Sequence, residues 1–341
     1  MISTLHILSS PNKPVHILNR TDPFSIAIVK FIENMPKHDW NCVLYSIPGS
    51  QVDCEQVNCL PGIYNETNKN IKVYNEIAAK EIKLRKKPKD IIVCFHGWEN
   101  QEAAFANNDL YIVEPSIGYD IKAVFAPFRV FTSYAQMHMY YGHKDMLMNP
   151  SWFDAVIPNA FTPAEFDYNE NKENYILYFG RVIENKGIHI AVQATEKAQV
   201  PLHIAGPGSL EDLGYKKIPN HVKILGTCDV DQRRHYMKSA RAIIGPTYYV
   251  EPFGNMIAEG YFSGTPAITT DWGGFTETVV QGVTGYRCRE FKDFVWAIEN
   301  INEIDSKKCY NFAMENYAED IVHKKFDSYF RKVQESNFYR L

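Results

Sequence analysis

Residues 175–192 read YILYFGRVIENKGIHIAV, a pattern that sets the fold class. A short apolar run ends at Gly180, and Gly187 opens a segment whose apolar residues recur at helical spacing. This predicts a buried strand, a loop and a helix, the repeating unit of proteins with parallel sheets. Arg181 and Lys186 lie on the loop, at the sheet edge where such proteins bind ligands. The planar guanidinium of an arginine and the ammonium group of a lysine suit a ligand that carries phosphate. The alternative is that both residues are ordinary surface cations on a loop.

The same alternation of apolar runs and amphipathic segments continues along all 341 residues, so the predicted fold class is α/β. At about 100–200 residues per domain, this length predicts two doubly wound domains. Residues 158–163, PNAFTP, are the predicted linker because two prolines and a following polar run interrupt the alternation. The predicted strands are Val15–Leu18, Cys42–Ser46, Ile91–Phe95, Tyr111–Val113, Val130–Thr132, Ala155–Ile157, Tyr175–Phe179, Leu202–Ala205, Val222–Leu225, Ala242–Gly245 and Ala267–Thr270.

The overall charge gives no general attraction to polyanions. Lysine and arginine number 36 against 40 aspartate and glutamate residues, a net charge of −4. The densest basic run, Lys80–Lys89, is interpreted as a solvated helix end whose cations complement the helix dipole. Part of a surface for an anionic acceptor is the alternative interpretation.

The sequence predicts a cytoplasmic chain, with peripheral attachment at a membrane surface left open. The first residues, MISTLH, lack the positive charges of a secretory signal. Polar residues interrupt every apolar run before the roughly 18 residues that a membrane span needs. The 7 cysteines form no CxxC pair, so neither a disulfide framework nor a zinc site is indicated.

A second informative stretch is residues 242–260, AIIGPTYYVEPFGNMIAEG. A strand ends near Gly245, and a loop carrying Glu251 leads to a helix predicted to begin near Gly254. The amides at 254–257 then lack intrahelical partners and form an anion site with the helix dipole. Glu251 and Glu259 could hold sugars on either side of a bound diphosphate. Taken singly, Glu251 could instead be an acidic residue at a helix start, and Glu259 a solvated helix residue.

Together these stretches resemble the paired signatures of glycosyltransferase family 4, retaining enzymes of GT-B fold. The signatures are Gly180-Arg181 with Lys186-Gly187, and EPFG at 251–254 with Glu259 eight residues after Glu251. Further segments agree in order and spacing: HIAGPG at 203–208, ILG at 224–226, TDWGGFTE at 270–277 and GVTGY at 282–286. The resemblance is tight over about residues 155–290 and loose over the N-terminal half.

The resemblance implies two Rossmann-like domains facing each other across a cleft, with a C-terminal helix that crosses back to the first domain. The acceptor-side domain would comprise residues 1–160 plus the crossover helix at about 316–341, and the donor domain residues 161–315. The implied activity is transfer of a hexosyl or pentosyl group from a nucleotide-diphosphate sugar, with retention of anomeric configuration. The nucleotide sugar is a co-substrate, and no cofactor or metal is expected. The acceptor, whether glycan, lipid, small molecule or other, and the oligomeric state are left open.

Site roles carry over residue by residue. Glu251 and His96 would be the catalytic residues, with His96 facing the transferred sugar. Glu259 would bind the ribose. The implied diphosphate ligands are Arg181, Lys186, Gly254, Asn255, Met256 and Ile257. The implied sugar contacts are Glu251, Phe253 and Gly254. The residues implied near the base are Gly206, Gly226 and Thr227.

The N-terminal half departs from the family pattern. The glycine-rich loop that follows the family's first strand is missing, and the corresponding region, Asn19–Phe24, reads NRTDPF. Arg20 or Asp22 would replace its backbone contacts. A dinucleotide-dependent oxidoreductase is disfavoured because Glu211 stands where the third glycine of its fingerprint is needed. A GT-B nucleotide-sugar isomerase or epimerase, and a non-catalytic sugar-nucleotide-binding protein, remain as alternative functions.

Overall fold

The computed structural model describes residues 2–16, 22–62, 67–143 and 150–336. The chain forms two compact units, each built on a parallel sheet. The first unit comprises Met1–Thr132, Met137–Ala160 and Glu319–Leu341, and the second Ser133–Gln136 and Phe161–Ala318. The predicted α/β class with two parallel-sheet domains is confirmed.

The sheet of the first unit alternates with helices along the chain. Its strands are β1 (Ser3–Leu8), β2 (Trp40–Ser46), β3 (Glu55–Asn58), β4 (Ile91–Cys94), β5 (Tyr111–Ile117), β6 (Phe128–Phe131) and β7 (Ala155–Val156). They lie in the order β3-β2-β1-β4-β5-β6-β7. The helices between them along the chain are α1 (Pro23–Asn34), α2 (Thr67–Arg85), α3 (Gln101–Phe105) and α4 (Tyr134–His143), and the first residues of α4, up to Gln136, group with the second unit. Because the strands are parallel, their carboxyl ends share one edge of the sheet.

The prediction that the first strand is Val15–Leu18 is wrong. Among the described residues, Val15 lies outside any strand and His16 makes an isolated bridge, while residues 17–18 lie outside the described residues. The strand is β1, where His6 interrupts the apolar run. In the sheet His6 is fully buried, with Nδ1 2.9 Å from the Tyr45 hydroxyl and Nε2 3.3 Å from the Asp90 carboxylate. A buried polar group with such partners is tolerated within a strand.

The second unit follows the same plan. Its strands are β8 (Ile176–Phe179), β9 (Leu202–Ala205), β10 (Val222–Gly226), β11 (Ala242–Gly245), β12 (Ala267–Thr270) and β13 (Gly285–Cys288). They lie in the order β10-β9-β8-β11-β12-β13. Its helices are α5 (Ile188–Lys197), α6 (Val230–Ser239), α7 (Asn255–Phe262), α8 (Phe275–Thr278), α9 (Phe291–Asn300) and α10 (Ser306–Tyr317).

The last described helix, α11 (Glu319–Glu335), belongs to the first unit. Its Phe326 and Phe330 rings pack edge-on against Phe31 of α1, at centroid distances of 5.6 and 5.9 Å. The indole of Trp40 donates a hydrogen bond of 2.7 Å to Asp327 of the same helix. The expected return of the C-terminal helix to the first domain is confirmed.

Candidate active site

Three glycines bring the carboxyl ends of β8, β9 and β10 together. The amide of Gly180 donates to the Ala205 carbonyl at 2.9 Å, and that of Gly206 to the Gly226 carbonyl at 2.8 Å. Gly206 has φ +139°, and a Cβ there would lie 2.0 Å from the Gly180 carbonyl oxygen, so only glycine fits. This places Gly206 and Gly226 side by side at the sheet edge, with exposed Thr227 directly after them.

The loop after β8 is docked on the loop after β11. Gly187 has φ +69°, and a Cβ there would lie 1.8 Å from the carbonyl oxygen of Pro246. The amide of Tyr248 donates to the carbonyl of Asn185 at 2.8 Å. This close backbone approach carries Lys186 into the loop that holds Glu251.

Lys186, Tyr249 and Glu251 form a connected cluster. Oε2 of Glu251 accepts hydrogen bonds from Lys186 Nζ at 2.7 Å and from the Tyr249 hydroxyl at 2.6 Å. Lys186 also donates to that hydroxyl, and its Nζ lies 4.8 Å from the centroid of the tyrosine ring. The Lys186 and Glu251 side chains are only 17% and 12% exposed. Burial, and then the adjacent Glu251 carboxylate, raise the pKa of Tyr249 well above its usual range, so its hydroxyl stays a donor.

This cluster adds a contact that the sequence does not predict. The sequence predicts that Lys186 binds the diphosphate and Glu251 the sugar, and in the structure the two side chains form an ion pair. The sequence predicts no role for Tyr249. Its position two residues before Glu251 is the one local signal, because the contact depends on how this loop folds.

Arg181 differs from Lys186 in its surroundings. Its side chain is exposed, and within the described ranges its guanidinium makes no hydrogen bond or ion pair. Its carbonyl accepts a hydrogen bond of 2.7 Å from the Tyr178 hydroxyl, which fixes the backbone at the start of the loop. Of the two loop cations, Arg181 is therefore unpaired among the described residues, whereas Lys186 is paired with Glu251.

Helix α7 begins at the glycine predicted for it. Gly254 is the N-cap residue with φ +88°, and a Cβ there would lie 2.4 Å from the ring of Phe275. No side chain caps this helix end. The amide of Ile257 donates to the Gly254 carbonyl at 2.9 Å, so the expectation that it lacks an intrahelical partner is wrong. The anion site at this N-terminus stays a prediction for the amides that precede Ile257.

A second pair of glycines holds the backbone beside Glu251. The amide of Gly274 donates to the Glu251 carbonyl at 2.6 Å. Gly273 has φ +62°, and a Cβ there would lie 2.8 Å from both the amide nitrogen and the carbonyl oxygen of Glu251. The Trp272 indole donates to the Tyr249 carbonyl at 3.2 Å. Residues 272–274 therefore fix the backbone from which the carboxylate projects.

Glu259, the residue implied at the ribose, is held by Arg233 of α6. Nη1 of Arg233 lies 3.1 Å from Oε1 of Glu259, and the guanidinium lies 5.5 Å from the centroid of the Phe166 ring. Nη2 of the same arginine lies 3.7 Å from Glu165. Arg233 thus orients the Glu259 carboxylate, an arrangement that the sequence motif alone does not reveal.

His96 lies in the first unit, directly after β4. Its ring is half-buried and lies 5.1 Å from the Phe24 ring, and its amide donates to the Asn100 side chain at 3.1 Å. Burial, and then the Lys13 cation, lower the pKa of His96 to about 4. His96 is therefore neutral near pH 7 and can donate or accept a hydrogen bond there.

This lowered pKa predicts an acid-sensitive contribution to stability. Between pH 6.5 and 4 the unfolded chain binds more protons at this position than the folded chain does. Folding stability is therefore full above about pH 6.5 and falls toward pH 4, by up to about 3 kcal/mol. We expect His96→Gln to flatten this fall in urea unfolding measured across the pH series. The control His38→Gln, at an exposed histidine, should leave the loss of folding stability between pH 6.5 and 4 as it is in the parent protein.

The region expected to replace the glycine-rich loop is described only in part. Arg20 lies outside the described residues. Asp22 is buried and lies 3.9 Å from Lys13 Nζ. Since the first strand is β1, which ends at Leu8, the described residues that follow it begin at Ser9, and residues 17–21 lie outside the described residues.

The described residues contain no group of three or more His, Cys, Asp or Glu side chains placed to hold a metal ion. No helix among them is long and apolar enough to cross a membrane.

Comparisons with known sequences point to the second unit. Residues 162–318 match the family model described as glycosyl transferases group 1. An uncharacterized glycosyltransferase of Methanocaldococcus jannaschii, MJ1607, is 33% identical over 154 residues, which cover 38% of this chain and 39% of that protein. Glycogen synthase of Mycobacterium tuberculosis is 32% identical over 147 residues, 39% of this chain and 35% of that protein. The matches span less than half the length of these relatives.

Comparisons with solved structures cover nearly the whole chain. A glycosyltransferase from Rickettsia africae superposes with a TM-score of 0.74 at 15% identity, covering 98% of this chain and 100% of that one. Anabaena Alr3699/HepE in complex with UDP and glucose gives a TM-score of 0.68 at 14% identity, covering 97% and 100%. Sucrose-phosphate synthase from Thermosynechococcus elongatus gives 0.72 at 17% identity, covering 97% and 99%. The chain therefore has the GT-B fold, and its residues 162–318 carry the similarity to glycosyl transferases group 1.

Proposed function

We propose that this protein is a retaining glycosyltransferase, which moves a sugar from a nucleotide-diphosphate sugar to an acceptor hydroxyl. The observation that carries the proposal is the Lys186–Tyr249–Glu251 cluster. Its Glu251 lies three residues before Gly254, the N-cap residue of α7. A cation and a helix N-terminus suit the diphosphate, and an oriented carboxylate suits the sugar. The similarity of residues 162–318 to glycosyl transferases group 1 supports the same activity.

The chemistry follows from where charge develops. As the glycosidic bond breaks, negative charge grows on the leaving diphosphate and positive charge on the sugar. Arg181, Lys186 and the first amides of α7 stabilise the diphosphate. Glu251 binds the sugar hydroxyls and stabilises the positive charge. The two cations and the helix amides offset the negative charge of the leaving diphosphate without a metal ion, so we propose metal-independent transfer.

The remaining site residues take binding roles in this proposal. Glu259, oriented by Arg233, accepts hydrogen bonds from the ribose hydroxyls. Gly206, Gly226 and Thr227 border the nucleotide base at the edge of the sheet. Neutral His96 of the first unit contacts the transferred sugar through its imidazole nitrogens. The HepE structure contains UDP, so uridine diphosphate sugars are the first donors to test.

The anomeric configuration of the product tests the proposal. NMR of the first-formed glycoside should show the configuration of the donor, with free nucleoside diphosphate released in equal amount. An inverted product would contradict the retaining mechanism. Incubation without an acceptor separates the alternatives, since an isomerase would convert the nucleotide sugar and a binding protein would leave it unchanged.

Tyr249→Phe tests whether the tyrosine hydroxyl positions the catalytic carboxylate. Loss of the hydrogen bond of 2.6 Å to Glu251 should lower turnover about tenfold or more. Affinity for free nucleoside diphosphate should stay within about twofold, because the hydroxyl contacts Glu251 and Lys186 rather than the nucleotide, and the Lys186–Glu251 ion pair remains. The matched control is Tyr248→Phe, since Tyr248 is 52% exposed and its hydroxyl has no hydrogen-bond partner among the described residues. Equal effects of the two substitutions would refute this role.

A further inference from the structure

The exposed face of α2 carries a row of lysines. Lys69, Lys72, Glu76, Lys80 and Lys83 follow one another at intervals of three or four residues, and all are exposed. This spacing places them along one side of the helix. The opposite side packs into the first unit through its buried residues, among them Ile71, Tyr74, Ala78 and Ile82.

Apart from Glu76 within the row, the carboxylates near the C-terminal end of α2 are paired with other cations. Arg85 binds Glu55 at 3.0 Å and also Glu81, and Lys86 binds Asp109. By contrast, Lys72, Lys80 and Lys83 make no ion pair with any described residue. With four lysines against one glutamate, the row carries a net positive charge, although the whole chain carries −4.

Two features extend this basic row at its C-terminal end. Lys87 and Lys89, in the turn after α2, are both exposed. Leu84 lies beside Lys80 and Lys83, and its side chain is 71% exposed. At a rise of about 1.5 Å per residue, Lys69 to Lys83 alone span about 21 Å. The surface is thus a line of exposed ammonium groups that ends at the exposed aliphatic side chain of Leu84.

We propose that this face of α2 binds the surface of a lipid bilayer containing anionic lipids. A row of lysines matches a sheet of negative headgroups, to which each lysine contributes about 1 kcal/mol, or about fivefold in partitioning. Leu84 favours a bilayer over a nucleic acid, since an exposed aliphatic side chain gains by entering the headgroup and acyl boundary. The face also lacks the arginines and stacking aromatic side chains that commonly contact nucleic acids.

Vesicle sedimentation of the full chain tests the proposal. The protein should sediment with phosphatidylcholine vesicles that contain phosphatidylglycerol and stay in solution with phosphatidylcholine alone. Added salt should release it, because screening shortens the range of the attraction. The combined change Lys72→Glu, Lys80→Glu and Lys83→Glu should lower partitioning by at least about 100-fold. Leu84→Gln should weaken binding several-fold while leaving the salt dependence unchanged.

The matched control reverses three exposed lysines of the second unit, Lys216, Lys217 and Lys223, which changes the net charge equally. It should bind vesicles within about twofold of the parent. A triple glutamine variant at 72, 80 and 83, together with the salt series on the parent, keeps the test valid if charge reversal impairs folding. Equal binding to neutral and anionic vesicles, equal loss in the control, or binding to duplex RNA or DNA in place of vesicles would each overturn the proposal.

Discussion

Replacing Glu251 by glutamine is expected to cut turnover at least a hundredfold while tightening the binding of free nucleoside diphosphate. Glutamine has nearly the same shape but no charge to stabilise the positive sugar in the transition state. In the free protein the carboxylate is paired with Lys186 at 2.7 Å, so the diphosphate must compete with Glu251 for that cation. Removing the competitor should raise affinity about three- to tenfold.

Calorimetry with free nucleoside diphosphate and steady-state rates on the same preparation measure both effects. Glu184→Gln is a suitable control, because Glu184 is exposed on the loop just before Lys186. It should leave both quantities near those of the parent. Loss of nucleotide binding in Glu251→Gln would contradict the division of roles, as would unchanged turnover.

Lys186→Ala should weaken diphosphate binding more than Arg181→Ala does. A charge-assisted contact is worth about 1.5–3 kcal/mol, or about 10–150-fold in affinity. Arg181 is exposed, so its removal should cost near the lower end of that range. Removing Lys186 also leaves the largely buried Glu251 carboxylate without its cation and close to the incoming phosphates. We expect a loss of about a hundredfold or more for Lys186→Ala.

The double variant Lys186→Ala with Glu251→Gln separates these two contributions. If the unpaired carboxylate repels the diphosphate, the double variant should bind it better than Lys186→Ala alone. Calorimetry on the four proteins of the cycle gives the coupling energy. Strict additivity would show that Glu251 and the diphosphate do not share Lys186.

The sequence predicts most of the architecture because central strands of a parallel sheet are continuous apolar runs. The strands at Leu202–Ala205, Ala242–Gly245 and Ala267–Thr270 have the predicted bounds. The missed strands have physical reasons. β1 contains buried His6, while β3 and β13 lie at sheet edges, where an apolar run is not required.

The candidate site was predictable as a set of residue types, but not as a set of contacts. Gly254 was placed correctly at the start of α7 because glycine before an amphipathic run is a local signal. The Lys186–Glu251 ion pair depends on the docking of Gly187 against Pro246, two residues 59 positions apart in the chain. The Arg233–Glu259 contact likewise joins two helices that no local pattern relates.

The membership of α11 in the first unit has a consequence for the order of folding during synthesis. Nearly all of the second unit, Phe161–Ala318, is translated before α11 and therefore emerges from the ribosome before it. The first unit, although it begins the chain, still lacks Phe330 and Val333 of its core at that moment. The second unit can therefore finish folding first, while the first unit waits for α11, reversing the usual N-to-C order.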